Sequence, residues 1–402
     1  MNTYSRITPE GTRDILFEEC RARREIQTRL ARVFSLRGYH EVITPGIEYY
    51  DLFDLPGASI PQQEMYKSTD NGGRLIVFRP DSTLPIARMA AARLQSYRRP
   101  VRLYYCQNIF RNRPDLSGRN DESAQMGIEL MGASGRRADL EVISAAVDAL
   151  GACAEDFRLE IGHARFFKVL ADRLTVSEEK KEQIRSTIES KNYAALDELL
   201  NPLGESDAVE AMKNLPRLFG GEEVLKAAER YCTDAESAAM LDELKALYGS
   251  LRRLGLGDKL MVDLGLVQRN DYYTGVVFSA YVQDQGDAVL FGGRYDSLLE
   301  KFDAPMPAVG FAVDVDAIAS QLLEKQVFSG PQAEVLVHGD EGYEIEAQKQ
   351  IGLLTEQGVA CVNSVFGSFE ESLAYAKELG IRKILRVGSH TVACNENGEV
   401  MV

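Results

Sequence analysis

The apolar positions of this chain change period several times, and each change marks an element. Between residues 12 and 37, Ile26, Leu30, Val33 and Phe34 recur at i, i+4, i+7 and i+8, the stripe of an amphipathic helix. Arg21, Arg23, Arg24, Arg29 and Arg32 fall between them and read as solvated flanks rather than a nucleic-acid face. Gly38 is placed to stop this helix. A short strand follows at Glu41–Ile43, ended by Thr44-Pro45. From there to about residue 131 short apolar runs dominate, at Leu75–Phe78, Arg102–Cys106 and Gly127–Met131. Turn formers such as Asn71-Gly72-Gly73 and Arg113-Pro114-Asp115 separate them, which predicts hairpins of an antiparallel sheet. Leu140–Leu150 has a helical period, and Phe157–Ile161 reads as another strand.

From about 165 to 255 the pattern is charged and helical, as in Ser177-Glu178-Glu179-Lys180-Lys181-Glu182. Strands resume at Leu260–Asp263, Gly275–Val282 and Ala308–Val313. A helical block bracketed by sheet-forming segments predicts an insertion in one continuous α+β domain spanning 1–325. Beyond the Gly-Pro of the Glu324–Pro331 linker, residues 331–402 alternate again. Val335–Val337, Val359–Val362 and Lys383–Val387 read as strands, Tyr343–Glu356 and Phe369–Leu379 as helices. This small βαβαβ unit favours a parallel sheet.

Charge narrows the functions available. Forty-six basic against 61 acidic residues leave a net charge of −15, unfavourable for approach to a nucleic acid. There is no run of about 18 apolar residues and no apolar stretch at the N-terminus, so neither a membrane span nor a secretory signal is expected, and the expected location is the cytoplasm. Cys20, Cys106, Cys153, Cys232, Cys361 and Cys394 are scattered without a CxxC pair, as are His40, His163, His338 and His390. Zinc ligands come in close pairs, so no metal site is expected, and no disulfide framework either. Gly292-Gly293 lacks the lysine and the spacing of a phosphate loop, and no cofactor is expected.

Four segments place polar groups where a core strand would not want them: Arg79-Pro80-Asp81-Ser82-Thr83; Phe110-Arg111 with Gln125-Met126-Gly127-Ile128-Glu129; Asp271-Tyr272-Tyr273-Thr274-Gly275; and Gly292-Gly293-Arg294-Tyr295-Asp296. Gln125, Gly127 and Glu129 share one strand face at period two. Two acids and a glutamine facing a pocket suit an α-amino group or an imidazole N–H, because carboxylates accept charge-assisted hydrogen bonds. Gly292–Asp296 reads equally well as a turn with a structural Arg–Asp pair.

Taken in order, these segments resemble the catalytic core of histidyl-tRNA synthetase, a class II aminoacyl-tRNA synthetase. Thr8-Pro9-Glu10-Gly11-Thr12-Arg13-Asp14 resembles the family's N-terminal signature. Gly38-Tyr39-His40-Glu41-Val42-Ile43-Thr44-Pro45 resembles motif 1, which implies a homodimer. Phe110-Arg111 opens motif 2, and the last two segments resemble the histidine-specific motifs. The resemblance implies an antiparallel sheet flanked by helices. It also implies a histidine pocket in which Asp81, Thr83 and Gln125 hold the α-amino group, Arg111 the carboxylate, and Glu129 with Tyr273 the imidazole, Tyr272 belonging to the same pocket.

The departures from the family change the expected activity. The glutamate that follows Phe-Arg in the family is replaced by Asn112-Arg113-Pro114. The motif 3 arginine falls at Ala317, and the arginine before Asp-Tyr-Tyr at Gln268, with Arg269 adjacent. Adenylation sets a triphosphate against a carboxylate and needs cationic clamps, each worth roughly 3 kcal/mol. From residue 331 onward 11 acids face 5 bases, a net charge of −6, and the segment resembles a truncated anticodon-binding domain. A synthetase-like chain with a histidine pocket and no ATP clamp resembles the regulatory subunits of ATP phosphoribosyltransferase. That resemblance implies a non-catalytic subunit in a hetero-oligomer with a short catalytic subunit, L-histidine as feedback effector, the first step of histidine biosynthesis, and neither nucleic acid nor membrane as partner. The alternatives are a divergent active histidyl-tRNA synthetase, disfavoured by the lost arginine, and a sensor of uncharged tRNA, disfavoured by the charge.

Overall fold

A computed structural model describes residues 4–112, 120–267, 272–283, 285–324 and 333–401. The predicted turn at Arg113-Pro114-Asp115 and most of the linker lie outside the described residues. The chain divides into two compact units, Met1–Leu322 and Leu323–Val402.

The first unit opens with α1 (Phe17–Leu36), which buries Ala22, Ile26, Leu30 and Phe34. The helix starts at Phe17, five residues later than the periodicity predicts, because no apolar residue before Ala22 extends the buried stripe. It ends at Gly38, whose φ of 81° suits a residue without a side chain. The flanking arginines are not simply solvated: Arg21, Arg29 and Arg23 pair with Glu18, Glu25 and Asp316. After α1 come β1 (His40–Glu41), β2 (Ile47–Tyr49), β3 (Lys67–Thr69), β4 (Leu75–Phe78) and α2 (Thr83–Arg93). Helix α2 has no counterpart in the sequence reading. Leu84, Pro85, Ile86, Ala87, Ala90 and Ala91 are all buried, so the helix is apolar nearly all round and shows no amphipathic period.

The long hairpin β5 (Val101–Phe110) and β6 (Glu122–Met131) leads into α3 (Arg136–Gly151) and β7 (Phe157–His163). The helical block comprises α4 (Ala164–Ala171), α5 (Glu178–Glu189), α6 (Tyr193–Leu200), α7 (Asp207–Asn214), the two-residue β8 (Phe219–Gly220), α8 (Glu222–Ala228) and α9 (Ala235–Arg253). Then follow β9 (Leu260–Asp263), β10 (Val276–Val282), β11 (Leu290–Arg294), β12 (Ala308–Asp314) and α10 (Val315–Glu324). Nine strands form one sheet in the order β1-β5-β6-β12-β11-β10-β7-β9-β8, antiparallel except at β1–β5 and β7–β9. Helix α1 covers it, the Phe34 ring meeting Tyr104 and Phe311 at 6.0 and 5.8 Å. Strands β2, β4 and β3 form a separate antiparallel sheet, with the predicted turn at Gly72-Gly73.

Strand β11 corrects the turn reading of Gly292-Gly293. A Cβ on Gly292 would stand 2.4 Å from the Phe278 ring, and one on Gly293 would stand 2.6 Å from the Tyr273 ring. The glycines are there so that aromatic rings can lie on the sheet.

In the second unit β13 (Val335–Gly339) pairs parallel with β14 (Cys361–Asn363) and β15 (Lys383–Val387), as the alternation predicts. An additional strand, β16 (Thr391–Asn395), adds antiparallel at the edge. The helix α11 (Glu344–Glu356) packs over Val335 and Val337, and α12 (Phe369–Glu378) covers Leu336 and Ile384 on the opposite face.

Candidate functional site

Strand β6 supplies the base of the site. Gln125, Gly127 and Glu129 fall on one face of it, and the ladder places Glu129 opposite Gly310 of β12. Asp81 and Thr83 stand at the start of α2, and Arg111 follows β5. Its backbone is tied to Asp121 and Met65, and its guanidinium Nε donates to the Pro80 carbonyl at 2.8 Å. Tyr272 and Tyr273 lead into β10, their rings 4.9 Å apart. All seven predicted residues (Asp81, Thr83, Arg111, Gln125, Glu129, Tyr272 and Tyr273) line a single cavity of about 340 Å³.

Glu129 is 1% exposed. Its carboxylate accepts hydrogen bonds from the Thr83 hydroxyl at 3.0 Å and from the Tyr295 hydroxyl. Among the described residues no arginine pairs with it. Burial pushes this carboxyl up to about 8, against the opposing effect of the two hydroxyls. Asp81 is also buried, and burial raises its pKa while the Arg111 charge and the Leu84 N–H lower it. The Tyr105 hydroxyl donates to Gln125 Oε1 at 3.2 Å, which orients the amide. The pocket therefore offers acceptors at two depths, Asp81 with Gln125 and the deeper Glu129, and one guanidinium in Arg111. That arrangement is complementary to an amino acid whose side chain carries an N–H.

The fourth segment divides between two roles. Arg294 is buried, pairs with Asp139 at 2.7 Å and Asp296 at 2.8 Å, and donates to the carbonyls of Ala133 and Gly135. That is the structural Arg–Asp pair. Tyr295 lies in the cavity wall and holds Glu129; its place in the Gly-Gly-Arg-Tyr-Asp run was the only signal in the sequence. Gln268, Arg269 and Asp271 lie outside the described residues. Ala317 sits in the first turn of α10, its N–H bonded to Asp314 at 3.1 Å.

Sequence reasoning gave no role to the helical block, yet Ile188, Glu189 and Lys191 line the cavity. Lys191 has a φ of 54°; burial, with the Asp263 charge adding, pushes Glu160 up to about 7, burial also raises Asp263, and the Lys191 charge opposes both shifts. Among the described lining residues the cations are Arg111 and Lys191, while Asp81, Glu129, Glu189, Asp263 and Asp314 are acids. Also among the described residues, no group of His, Cys, Asp and Glu side chains is placed to hold a metal ion, and no helix is long and apolar enough to cross a membrane.

The family model for histidyl-tRNA synthetase matches residues 11–318. A solved histidyl-tRNA synthetase from Nostoc superposes with a TM-score of 0.79 at 20% identity, covering 98% of this chain and 96% of that one, and so shares the fold. Sheet, flanking helices and cavity thus define a class II synthetase core of the histidyl type, and the chain belongs to that family. A solved ATP phosphoribosyltransferase regulatory subunit/histidyl-tRNA synthetase from Bacillus halodurans superposes with a TM-score of 0.85 at 29% identity, over 96% of this chain and all of that one. The ATP phosphoribosyltransferase regulatory subunit of Clostridium kluyveri is 37% identical over 381 residues, 94% of this chain and 97% of the relative. Within the synthetase-like proteins, the chain belongs to the ATP phosphoribosyltransferase regulatory subunits.

Proposed function

We propose that this chain is a non-catalytic regulatory subunit that binds L-histidine in the cavity and transmits its occupancy to a short ATP phosphoribosyltransferase catalytic subunit. The observation that carries the reading is the charge of the cavity. Five acidic side chains, of which burial keeps Glu129 protonated up to about pH 8, stand against two cations among its described lining residues, so a triphosphate entering there would find few of the clamps that adenylation requires. Two of those acids, with the oxygens of Thr83, Gln125 and Tyr273, accept the N–H groups of histidine: the α-amino group at Asp81, Thr83 and Gln125, the imidazole at Glu129 and Tyr273, with Arg111 taking the carboxylate. The names of its relatives support the partner.

The subunit acts as a homodimer through the motif 1 region. In support, exposed Ile43, Ile47, Tyr49, Leu75 and Phe78 lie on or beside the small sheet, Ile47 directly opposite Phe78, and exposed apolar side chains in register suit a protein interface. The setting is cytoplasmic histidine biosynthesis. The test is formation of phosphoribosyl-ATP by a cognate short enzyme across a histidine titration, with and without this chain. The chain should raise the activity and confer inhibition by histidine. A short enzyme equally active and equally histidine-sensitive alone, with no complex on sizing, would exclude the role.

A further inference from the structure

We infer that an arginine patch at one end of the nine-stranded sheet (Arg93, Arg98, Arg99, Arg136 and Arg137) docks a carboxylate-rich face of the catalytic subunit. The inference rests on the regulatory-subunit reading and adds where on this chain the partner is held. Residues 93–100 and 131–138 carry five arginines and no acid, in a chain of net charge −15. The two segments lie side by side: Val101 is the register partner of Met131, and a Cβ on Gly132 would stand 2.9 Å from Arg99 Cδ. All five arginines are exposed. Among the described residues none of them pairs with a carboxylate, whereas Arg37, Arg88 and Arg102 of the same unit hold Asp148, Glu48 and Glu141.

The placement of Arg136 and Arg137 runs against local electrostatics. A helix N-terminus favours anions, and the chain follows that rule elsewhere, with Glu18 and Glu19 on α1, Glu178 and Glu179 on α5, and Glu370 and Glu371 on α12. Helix α3 instead opens with two arginines behind Gly135, which supplies no side-chain acceptor, and its one early acid, Asp139, is committed to Arg294. Carboxylates arriving from outside would offset both the like charge of the arginines and the positive end of the dipole.

The backbone beneath part of the patch is tied down. Gly132 N–H donates to the Pro307 carbonyl at 2.7 Å, and the Arg294 guanidinium holds the carbonyls of Ala133 and Gly135. Planar guanidinium forks suit bidentate carboxylate recognition. A nucleic acid fits less well, because its charge extends far beyond five arginines and would meet the acidic remainder of the chain.

The test compares the full-length chain with Arg98→Glu/Arg99→Glu/Arg136→Glu/Arg137→Glu for binding to the short catalytic subunit by calorimetry and sizing. A quadruple glutamine variant serves in case the reversal does not fold, and thermal melts check both. The variants should bind the subunit about tenfold or more weakly, and wild-type binding should weaken with salt while theirs does not. Histidine binding to the free chain should be unchanged. Variants that bind the subunit as wild type does would overturn the docking surface and leave the regulatory reading standing. A wild-type chain that binds no subunit would overturn both. Binding of transfer RNA that the reversal abolishes, with subunit binding intact, would reassign the patch to nucleic acid and overturn the proposal.

Discussion

At the scale of single residues, the Glu129 carboxyl is shielded from water, held by Thr83 and Tyr295 and pressed close to Gly310. Glu129→Gln keeps the volume and removes the titratable carboxyl, so histidine affinity measured by calorimetry above pH 8, where the wild-type carboxyl is ionised, should fall by about 1.5–3 kcal/mol, the range for hydrogen bonds to charged groups. Because burial raises this acid's pKa from 4.5 to about 8, the folded chain retains a proton across that interval which the unfolded chain has released. The contribution of Glu129 to stability therefore falls as pH rises through the window. Urea denaturation over that pH range should show Glu129→Gln gaining relative to wild type with each step upward; parallel profiles would place the titration elsewhere. Arg294 acts differently. Arg294→Met strands the buried Asp139 carboxylate and should cost about 3–5 kcal/mol, most of it recovered by adding Asp139→Asn. A single variant as stable as wild type would show that the pair is dispensable.

Among the elements, strand β12 depends on a glycine as the helices do not. A Cβ at Gly310 would lie 1.9 Å from Glu129 Oε2 and 2.4 Å from the Ile128 carbonyl, so Gly310→Ala must displace backbone. It should destabilise by about 1–3 kcal/mol and weaken histidine binding as well. Gly249 lies inside α9 with nothing within 4 Å of its ideal Cβ, so Gly249→Ala should stabilise by about 0.5–1 kcal/mol. Equal unfolding midpoints for the two variants would contradict this account of the glycines. The same contrast explains which elements could be read from sequence. Helix α1 announces itself because one face alone is buried, whereas α2 is buried nearly all round, and β11 carries glycines that ordinarily signal a turn.

For the whole molecule, the acidic cavity and Ala317 should leave histidine-dependent exchange of pyrophosphate into ATP at the level of a no-enzyme blank. Exchange clearly above it would return the chain to the active synthetases. Coupling between sites is reciprocal in binding free energy and typically 1–3 kcal/mol. In the complex, histidine should therefore weaken the catalytic subunit's hold on its substrates by the same factor by which those substrates weaken histidine binding. Calorimetric titrations run in both orders measure that factor, and a factor of one in either order would rule out coupling between the two sites.

Sequence alone indicated much of the alternation of strands and helices, though not α2, β11 or β16, along with a charged helical block, and it named seven residues that line one cavity. Those features rest on local periodicity and on ordered motifs, both of which survive in one dimension. Tertiary structure decided the partners. Residues 129 and 295 are 166 positions apart and meet through β6, β12 and β11. The charged helical block could not be assigned to the site because only folding carries Lys191 to the cavity wall. Exposure and pairing likewise separate Arg102, which holds Glu141, from Arg99 three residues earlier, which is exposed and without a carboxylate partner among the described residues. A guanidinium's role depends on which carboxylates the fold brings within reach, and sequence spacing does not specify that distance.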